Sequence, residues 1–411
     1  LNFGKIRLSA AGVGNDTDPH QLDIVYSNNG NYAGNPRNNI NLQRPPADLK
    51  PERIRSFETG LDLRLFQNRV NLDLTAYTSR TVNHILAADV SPTSGFSQAL
   101  INAGETRSAG LEVMLSGELF RTPDFSWTLS GVFTRNRSRV ISLADDLENI
   151  QLASQWGVTI EARPGNLYGD IVGIAIARDE AGNPLVNAEG LYIKDGFQVL
   201  GNTQPDFLAG ITNKVRYKNF SLSFLVDIRK GGEMYAATNM YGMGYSGNFV
   251  ETLEGREAWY ASEEARNEAG MQPHEWTATG GFLAEGVYAD GTMLDGADVS
   301  GQQNGTYMNP ETYWAQFSNW GDELHEPHVY DAGFVKLREV MLSYSLPKRV
   351  ASSIRAQRIQ LAFVGRNLWV IHKNVPNIDP ESYYSNSNGQ GIEYGSYPTT
   401  RSLGVDIKID W

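Results

Sequence analysis

The sequence predicts an all-β chain, a transmembrane antiparallel β-barrel wall with long loops at one end. Three observations carry this. Long runs of alternating apolar and polar residues come in pairs, the signature of strands with one greasy and one wet face. The connections between them are of two kinds, short polar turns and long irregular excursions. The last run, RSLGVDIKIDW, places Leu403, Val405, Ile407, Ile409 and Trp411 on one face and stops in mid-strand.

Taken in chain order, LNFGKIRLSAAGVG already reads as a strand. Residues 57–66 (FETGLDLRLF) set Leu61, Leu63 and Leu65 on one face, then turn through QNR and return as VNLDLTAYTSR. Residues 110–120 place Leu111, Val113, Leu115, Gly117 and Leu119 on one face. RTPD bends the chain, with Pro123 suited to a turn. FSWTLSGVFTRNRSRV returns with Phe125, Trp127, Leu129, Gly131 and Phe133 on one face. A third pair is PDFLAGITNKVRY and FSLSFLVDIRKG across the turn KN. A fourth is FVKLREVMLSYSL and RIQLAFVGRNLWV around Pro347. Each run has about 9–13 residues, near the length that crosses a bilayer when tilted, whereas strands of soluble proteins average about 5–6. Such hairpins fit an antiparallel barrel or a very long sandwich.

The largest excursion covers residues 231–330 and is rich in Gly, Asn and aromatics, with a helix expected near 251–269. A structureless loop of that length argues against a compact soluble fold unless it is functional. Short turns at one end and long loops at the other are the asymmetry of outer-membrane barrels.

Composition is consistent with this. The chain has 411 residues, enough for two or three soluble domains or one very large sheet. It has no cysteine, which excludes a disulfide scaffold and thiolate metal sites. The net charge of −12 argues against a nucleic-acid partner. No apolar run approaches the length of a transmembrane helix, and an alternating barrel keeps its average hydropathy looking soluble. The chain starts at Leu1 with no charged-then-apolar leader, so it is expected to be a mature fragment or the trailing part of a longer polypeptide.

Several stretches, spread over nearly the whole chain, resemble the SusC/RagA-like TonB-dependent transporters of the outer membrane. FGKIRLSAAGVGN is similar to the family's F-G-K-x-R-x-S-x-x-x-V-G-N strand and loop. FETGLDLRLFQNRVNLDLTAYTSRT resembles its hairpin with a G-x-D-x-x-L-x-x-x-R core and a Tyr before the Thr. SPTSGFSQALINAGETRSAGLEVML resembles the P-x-x-S-G-F…N-x-G-x-x-x-N-x-G-x-E block, with Ser108 where Asn is usual. GNTQPDF…FSLSF is similar to G-N-x-x-P-D-x…F-x-L-S-F, and FVKLREVMLSYSLP followed by FVGRNLWV resembles the terminal strand pair. The resemblance implies the back half of a 22-stranded barrel, with signal peptide, plug and TonB box outside residues 1–411. About 12–14 strands can be read along the chain, so the remaining wall must come from a preceding part of the polypeptide or from a second chain. An open sheet in lipid would leave unpaired backbone groups. On this reading the last strand pairs to close the barrel, and Trp411 sits in the aromatic girdle at the membrane boundary.

Other motifs have plain readings. HEPH (His325, Glu326, His328) has metal-ligand residue types, but Pro327 works against a helical turn that would bring two His together, and no third ligand is apparent. It reads as a loop near the mouth. GMGYSG (residues 242–247) matches G-x-G-x-x-G but lies in an aromatic loop, without the strand and helix that the motif needs, and reads as flexible punctuation. Asp290, Asp295 and Asp298 lack EF-hand spacing and read as a solvated acidic loop. No nucleophile motif is present, a carboxylate pair cannot be singled out, and neither catalysis nor a cofactor is expected.

The best candidates for substrate contact are Tyr241, Tyr245, Trp259, Trp276, Tyr307, Trp314 and Trp320. Sugar rings present apolar C–H faces to such side chains, while amides and carboxylates bond the hydroxyls. The same aromatics would equally serve to pack loops together or against a partner. As the resemblance implies it, the function is import of oligosaccharides, or of peptides, across the outer membrane of a Gram-negative bacterium. A SusD-like surface lipoprotein acts as lid, and TonB pulls on the plug. The alternatives are a secreted β-rich glycan-binding or glycan-cleaving protein and, more weakly, a self-contained barrel of fewer strands.

Overall fold

The computed structural model describes residues 1–46, 48–102, 104–144, 147–318 and 323–411. Ten strands form one antiparallel sheet in strict chain order. They are β1 (Phe3–Asn15), β2 (Glu52–Leu65), β3 (Val70–Val82), β4 (Glu105–Arg121) and β5 (Phe125–Ser142), then β6 (Phe207–Tyr217), β7 (Phe220–Lys230), β8 (Phe334–Ser345), β9 (Arg358–Lys373) and β10 (Ser402–Asp410). Each sequence-predicted hairpin is one of the adjacent pairs. The connections alternate in length. Residues 66–69, 122–124, 218–219 and 346–357 close one end, and residues 16–51, 83–104, 143–206, 231–333 and 374–401 rise from the other.

The register lines up one apolar face across the sheet. Ile6 lies opposite Leu61, Leu61 opposite Leu74, Leu74 opposite Val113, and Val113 opposite Phe133. The row continues through Ala209, Ile228 and Val335. Nearer the short turns, Leu222, Leu342, Phe363 and Val405 form another row. No layer of protein covers these rows, whose members run from half-buried to open: Ile6 is 74% exposed and Val405 73%. A soluble monomer rarely leaves so broad an apolar surface bare, whereas the outer surface of a membrane barrel requires it.

The opposite face is polar. On it Arg7 reaches across β2 to donate to both carboxylate oxygens of Asp73, at 2.6 and 3.0 Å. Gly60 makes this possible, since a Cβ there would sit 2.7 Å from Arg7 Nε. Likewise Gly110 leaves room for the Tyr77 ring lying across from it, within 2.4 Å of where a Cβ would be. Ser108, the departure from the family pattern, meets the Ser138 hydroxyl at 2.7 Å.

At the short-turn end the apolar face carries an aromatic band. Phe120 stacks on Trp127 at 5.9 Å, and Phe220 packs on Tyr344 at 4.7 Å. Tyr217 stands opposite both Phe125 and Phe220. The alternation of β4 predicts Leu119 on this face, but a register shift opposite Trp127/Thr128 puts Phe120 there instead. The extra residue of a bulge reverses the parity of whatever follows it. Trp411 lies just beyond β10 at this same end and is exposed.

The wall has fewer strands than the sequence suggests. Val158–Ala162 and Asp170–Ile176 are buried on both faces and belong to a separate four-stranded sheet with Ile150–Gln155 and Lys194–Asn202. This sheet helps build a packed body from the long connections. Its central cluster joins Val158, Ile160 and Ile171 to Tyr235, Ala237 and Ile392. Buried hydrophobic residues therefore concentrate in the loops and not in the wall.

Replacing Leu74 by Arg puts a charge on the apolar face and is expected to destabilise the wall by about 2–4 kcal/mol. Ser130→Arg, on the polar face, should cost about 1 kcal/mol or less. Urea unfolding of the reconstituted protein separates the two, and equal losses would contradict the face assignment.

Candidate functional site

Three short elements of the 231–333 connection surround a cavity of about 430 Å³. The helix Arg256–Glu268 begins after Gly255, whose φ of 77° lets the chain turn into it, and presents Trp259 and Tyr260. The helix Pro310–Ala315 starts with Pro at its first position and is capped by Asn309, whose side chain accepts the Glu311 amide at 2.9 Å. It presents Trp314. The turn Tyr241–Tyr245 supplies Tyr245. Its GMGYSG glycines are not flexible punctuation. Gly242 is buried against the Phe249 ring, and a Cβ on Gly244 would lie 2.2 Å from Ser318 Oγ. They are small because neighbours press on them.

The cavity mixes rings with a few polar groups. Trp314 is held by edge-on contacts with Tyr313 at 5.0 Å and Phe317 at 5.8 Å, and its buried indole N–H has no hydrogen-bond partner among the described residues. The Arg256 guanidinium donates to Thr252 O at 2.6 Å and Thr252 Oγ1 at 3.0 Å, which fixes its charge at the cavity wall. Rigid aromatic faces with a fixed cation, an amide (Asn309) and a carboxylate (Glu311) suit an amphipathic ligand.

Tyr245, Trp259 and Trp314 are thus brought together. Tyr241 lies behind them, stacked on Tyr245 at 5.1 Å. Desolvation holds its phenol up at about 12, so it stays a neutral donor and acceptor. Trp276 does not line the cavity; its indole donates to Ser262 Oγ at 3.1 Å and braces the helix. Tyr307 is also apart from the lining, and Trp320 lies outside the described residues.

The HEPH segment fastens the four-stranded sheet. Nδ1 of His325 accepts the Ile174 amide at 2.9 Å, and its Nε2 meets Trp156 O at 3.0 Å. Glu326 accepts the Ile176 amide at 2.7 Å and pairs with Arg178. Burial pushes the His328 imidazole down to about 3 and lowers His325 as well, so both are neutral at neutral pH. Asp298 bonds Ser300 in an exposed hairpin, with Asp295 in its turn.

A second polar centre was not read from the sequence. Lys336, fully buried on the polar face of β8, donates to Asp379 at 2.5 Å and to Glu381 at 2.6 Å. Arg338 bridges Glu381 and Asp227, each at 2.6 Å, and donates to Asn367 Oδ1 at 3.2 Å. Asn367 takes a left-handed φ of 50° at an irregularity in β9 and donates to Thr400 O. The cluster ties residues 374–401 to the wall. Its only sequence signal is a pair of cations, two residues apart, on the wet face of a strand.

Burial pushes the Asp379 carboxyl up, but the Lys336 ammonium and the Thr399 hydroxyl outweigh it and hold it at about 2. A carboxyl depressed in the folded state stabilises fully above its unfolded value of about 3.9 and loses that contribution as pH falls toward 2. Hydrogen-exchange protection of residues 374–401, corrected for intrinsic rate, should therefore hold above about pH 4 and fall away toward pH 2. Lys336→Met leaves the Asp379 carboxylate without its cation, while Glu381 keeps Arg338, and should cost about 3–5 kcal/mol, partly restored by adding Asp379→Asn. No loss of protection in Lys336→Met would remove the tie from the account.

Residues 11–226 match a family described as "TonB dependent receptor-like, beta-barrel". TonB-dependent receptor P3 of Formosa agariphila is 24% identical over 395 residues, 88% of this chain and 34% of that protein. TonB-dependent receptor SusC of Bacteroides thetaiotaomicron is 24% identical over 220 residues, 49% of this chain and 22% of SusC. Among solved structures, the RagAB peptide importer in its "closed-closed" state superposes with a TM-score of 0.69 at 16% identity, covering 99% of this chain and 40% of that one. The fold is thus shared over nearly the whole chain, while the chain spans well under half the length of these proteins.

Proposed function

The chain belongs to the TonB dependent receptor-like β-barrel family, and from that premise we propose that residues 1–411 form the C-terminal part of the barrel of a SusC-like importer. The importer takes up oligosaccharides, or peptides, across the outer membrane of a Gram-negative bacterium. A SusD-like lipoprotein closes over the long-loop end, and TonB acts through the plug. The observation that carries this reading is the pairing of a bare apolar outer face with a loop body that holds an aromatic cavity. Among the described residues β1 and β10 each have one unpaired edge. Free edges in hydrocarbon cost several kcal/mol per unpaired group, so further strands, from the same or a second chain, complete the wall around the plug. Trp411 belongs to the girdle at the short-turn rim.

In this scheme no residue of the chain performs covalent chemistry. Tyr245, Trp259 and Trp314 hold substrate by stacking, and Tyr241 supports them. Trp276, Tyr307 and Trp320 remain candidates for the same loop surface or for the lid's docking face. A secreted glycan-binding protein would share the cavity, but the apolar face of the wall has no role in it.

Two measurements test the proposal. The protein carrying this chain should fractionate with outer membranes and require detergent; a detergent-free soluble species defeats it. Trp259→Ala or Tyr245→Ala in that protein should weaken substrate binding roughly five- to tenfold each by calorimetry, the loss expected for one stacking ring. Unchanged binding in both would remove the cavity from the function.

A further inference from the structure

Near the long-loop end, one row on the apolar side of the wall is not apolar. Arg55 lies opposite Arg80, Arg80 opposite Arg107, and Arg107 opposite Arg139. The four stand side by side on β2, β3, β4 and β5. Along its own strand each is an even number of residues from Leu61, Leu74, Val113 or Phe133, so all four share the face of that apolar row.

Like charges directly opposite one another destabilise a sheet, and this row stands in a chain whose net charge is −12. Glu105 answers one member, bonding Arg80 at 2.5 Å. Arg139 donates to Gly165 O at 3.2 Å. Arg55 and Arg107 are exposed and have no hydrogen-bond or ion-pair partner among the described residues. By contrast Arg7, Lys336 and Arg338 on the polar face each hold a carboxylate. The row therefore carries positive charge that the described residues leave unspent.

Its height decides what can meet it. Arg55 lies ten residues along β2 from Leu65 at the short-turn end. At about 3.4 Å per residue and a tilt of about 40° this is roughly 25 Å, the height of a barrel's apolar band. The row thus falls where hydrocarbon gives way to headgroups on the long-loop side. Arg55, Arg80 and Arg107 line an open hollow of about 460 Å³ together with Phe57, Glu105 and Ile141. Phe57 is 50% exposed, and Ile141, at an irregularity of β5, 46%. Guanidinium forks fit phosphate oxygens two at a time, and their stems lie along apolar surface. Cations beside bare apolar side chains match a molecule with an anionic head and a hydrocarbon tail.

We infer that the row is a docking site for the phosphate of a membrane lipid in the leaflet at the long-loop end, whose acyl chains run over Phe57 toward the Leu61 row. The bound phosphate relieves the opposition of Arg55, Arg80 and Arg107, as Asp73 does for Arg7 within the wall. This rests on the membrane-spanning reading above and adds a ligand on the outer face, apart from the aromatic cavity.

The test uses the intact protein that carries this chain, purified in a neutral maltoside detergent. The probe is monophosphorylated lipid A, compared with the same lipid after enzymatic removal of its phosphate. Native mass spectrometry of a titration should show the phosphorylated lipid bound roughly tenfold more tightly. Arg55→Gln combined with Arg107→Gln should abolish most of that preference, a loss of about tenfold. Lys214→Gln removes the same kind of charge from the polar face of β6 and should leave the preference intact. Without lipid the double variant should melt no lower than the wild type, because it removes like charges that oppose one another. Added phosphorylated lipid should then raise the melting temperature of the wild type alone. Equal binding of the two lipids, or wild-type binding by the double variant, overturns the site. Inorganic phosphate that competes as well as the lipid overturns its assignment to a lipid. Either failure in a protein that requires detergent leaves the transport proposal standing, whereas a protein that needs no detergent would sink that proposal first.

Discussion

A backbone amide facing hydrocarbon has no water to bond, and the whole wall is organised by that constraint. Ten strands pair in chain order without a crossover, so each strand between β1 and β10 has both edges satisfied. The ladder is nearly continuous. Where it shifts, as between Trp127 and Thr128 or around Arg338, the irregularity falls near the rim or where polar side chains take over. Strict neighbour pairing also forces the connections to alternate between the two ends. Short turns need few residues, among them the left-handed Phe66, Gln67 and Asn68. The free length of the chain is thereby concentrated at the opposite end, where it can fold.

The polar face obeys the complementary rule: a charge sheltered from water must be paired. Arg7 with Asp73, and Lys336 and Arg338 with Asp227, Asp379 and Glu381, satisfy it in different ways. The first pair links strands of the wall and stays partly solvated. The second cluster draws a loop onto the wall and buries its lysine. Loop position at this end is therefore set by electrostatics on the wall and by apolar packing within the loop body. Together they give the mouth of the structure a fixed shape.

Under the proposed function, that fixed shape is what would make stacking on aromatic rings useful for binding. Trp259 and Trp314 sit on helices with defined starts, and Tyr241 and Tyr245 on a turn whose glycines are wedged against Phe249 and Ser318. Rings held this way lose little freedom when a ligand arrives. Trp276 shows the other use of an aromatic in the same connection, since its indole is spent on Ser262 to brace a helix.

The strands were legible because their period of two is written locally. A run such as LGVDIKI allows one pairing parity, and a short polar turn fixes which runs are neighbours. That was enough for the four hairpins, the first and last strands, the helix expected near 251–269 and found at Arg256–Glu268, and the split between short and long connections. It failed wherever one residue changes parity, as at Leu119 and Phe120, and where burial on both faces erases the alternation, as in residues 158–176. The site was legible only in kind. Composition marked the 231–330 segment as aromatic, but Trp259, Trp276 and Tyr307 look alike in sequence. Neither the cavity nor the tie from Lys336 to Asp379 could be read, because the one gathers separate turns and helices of a single long connection and the other joins a strand to a loop. A strand's face is decided by its neighbours in sequence; which rings and charges meet is decided by how separate loops pack on one wall, and that exists only once the tertiary structure has formed.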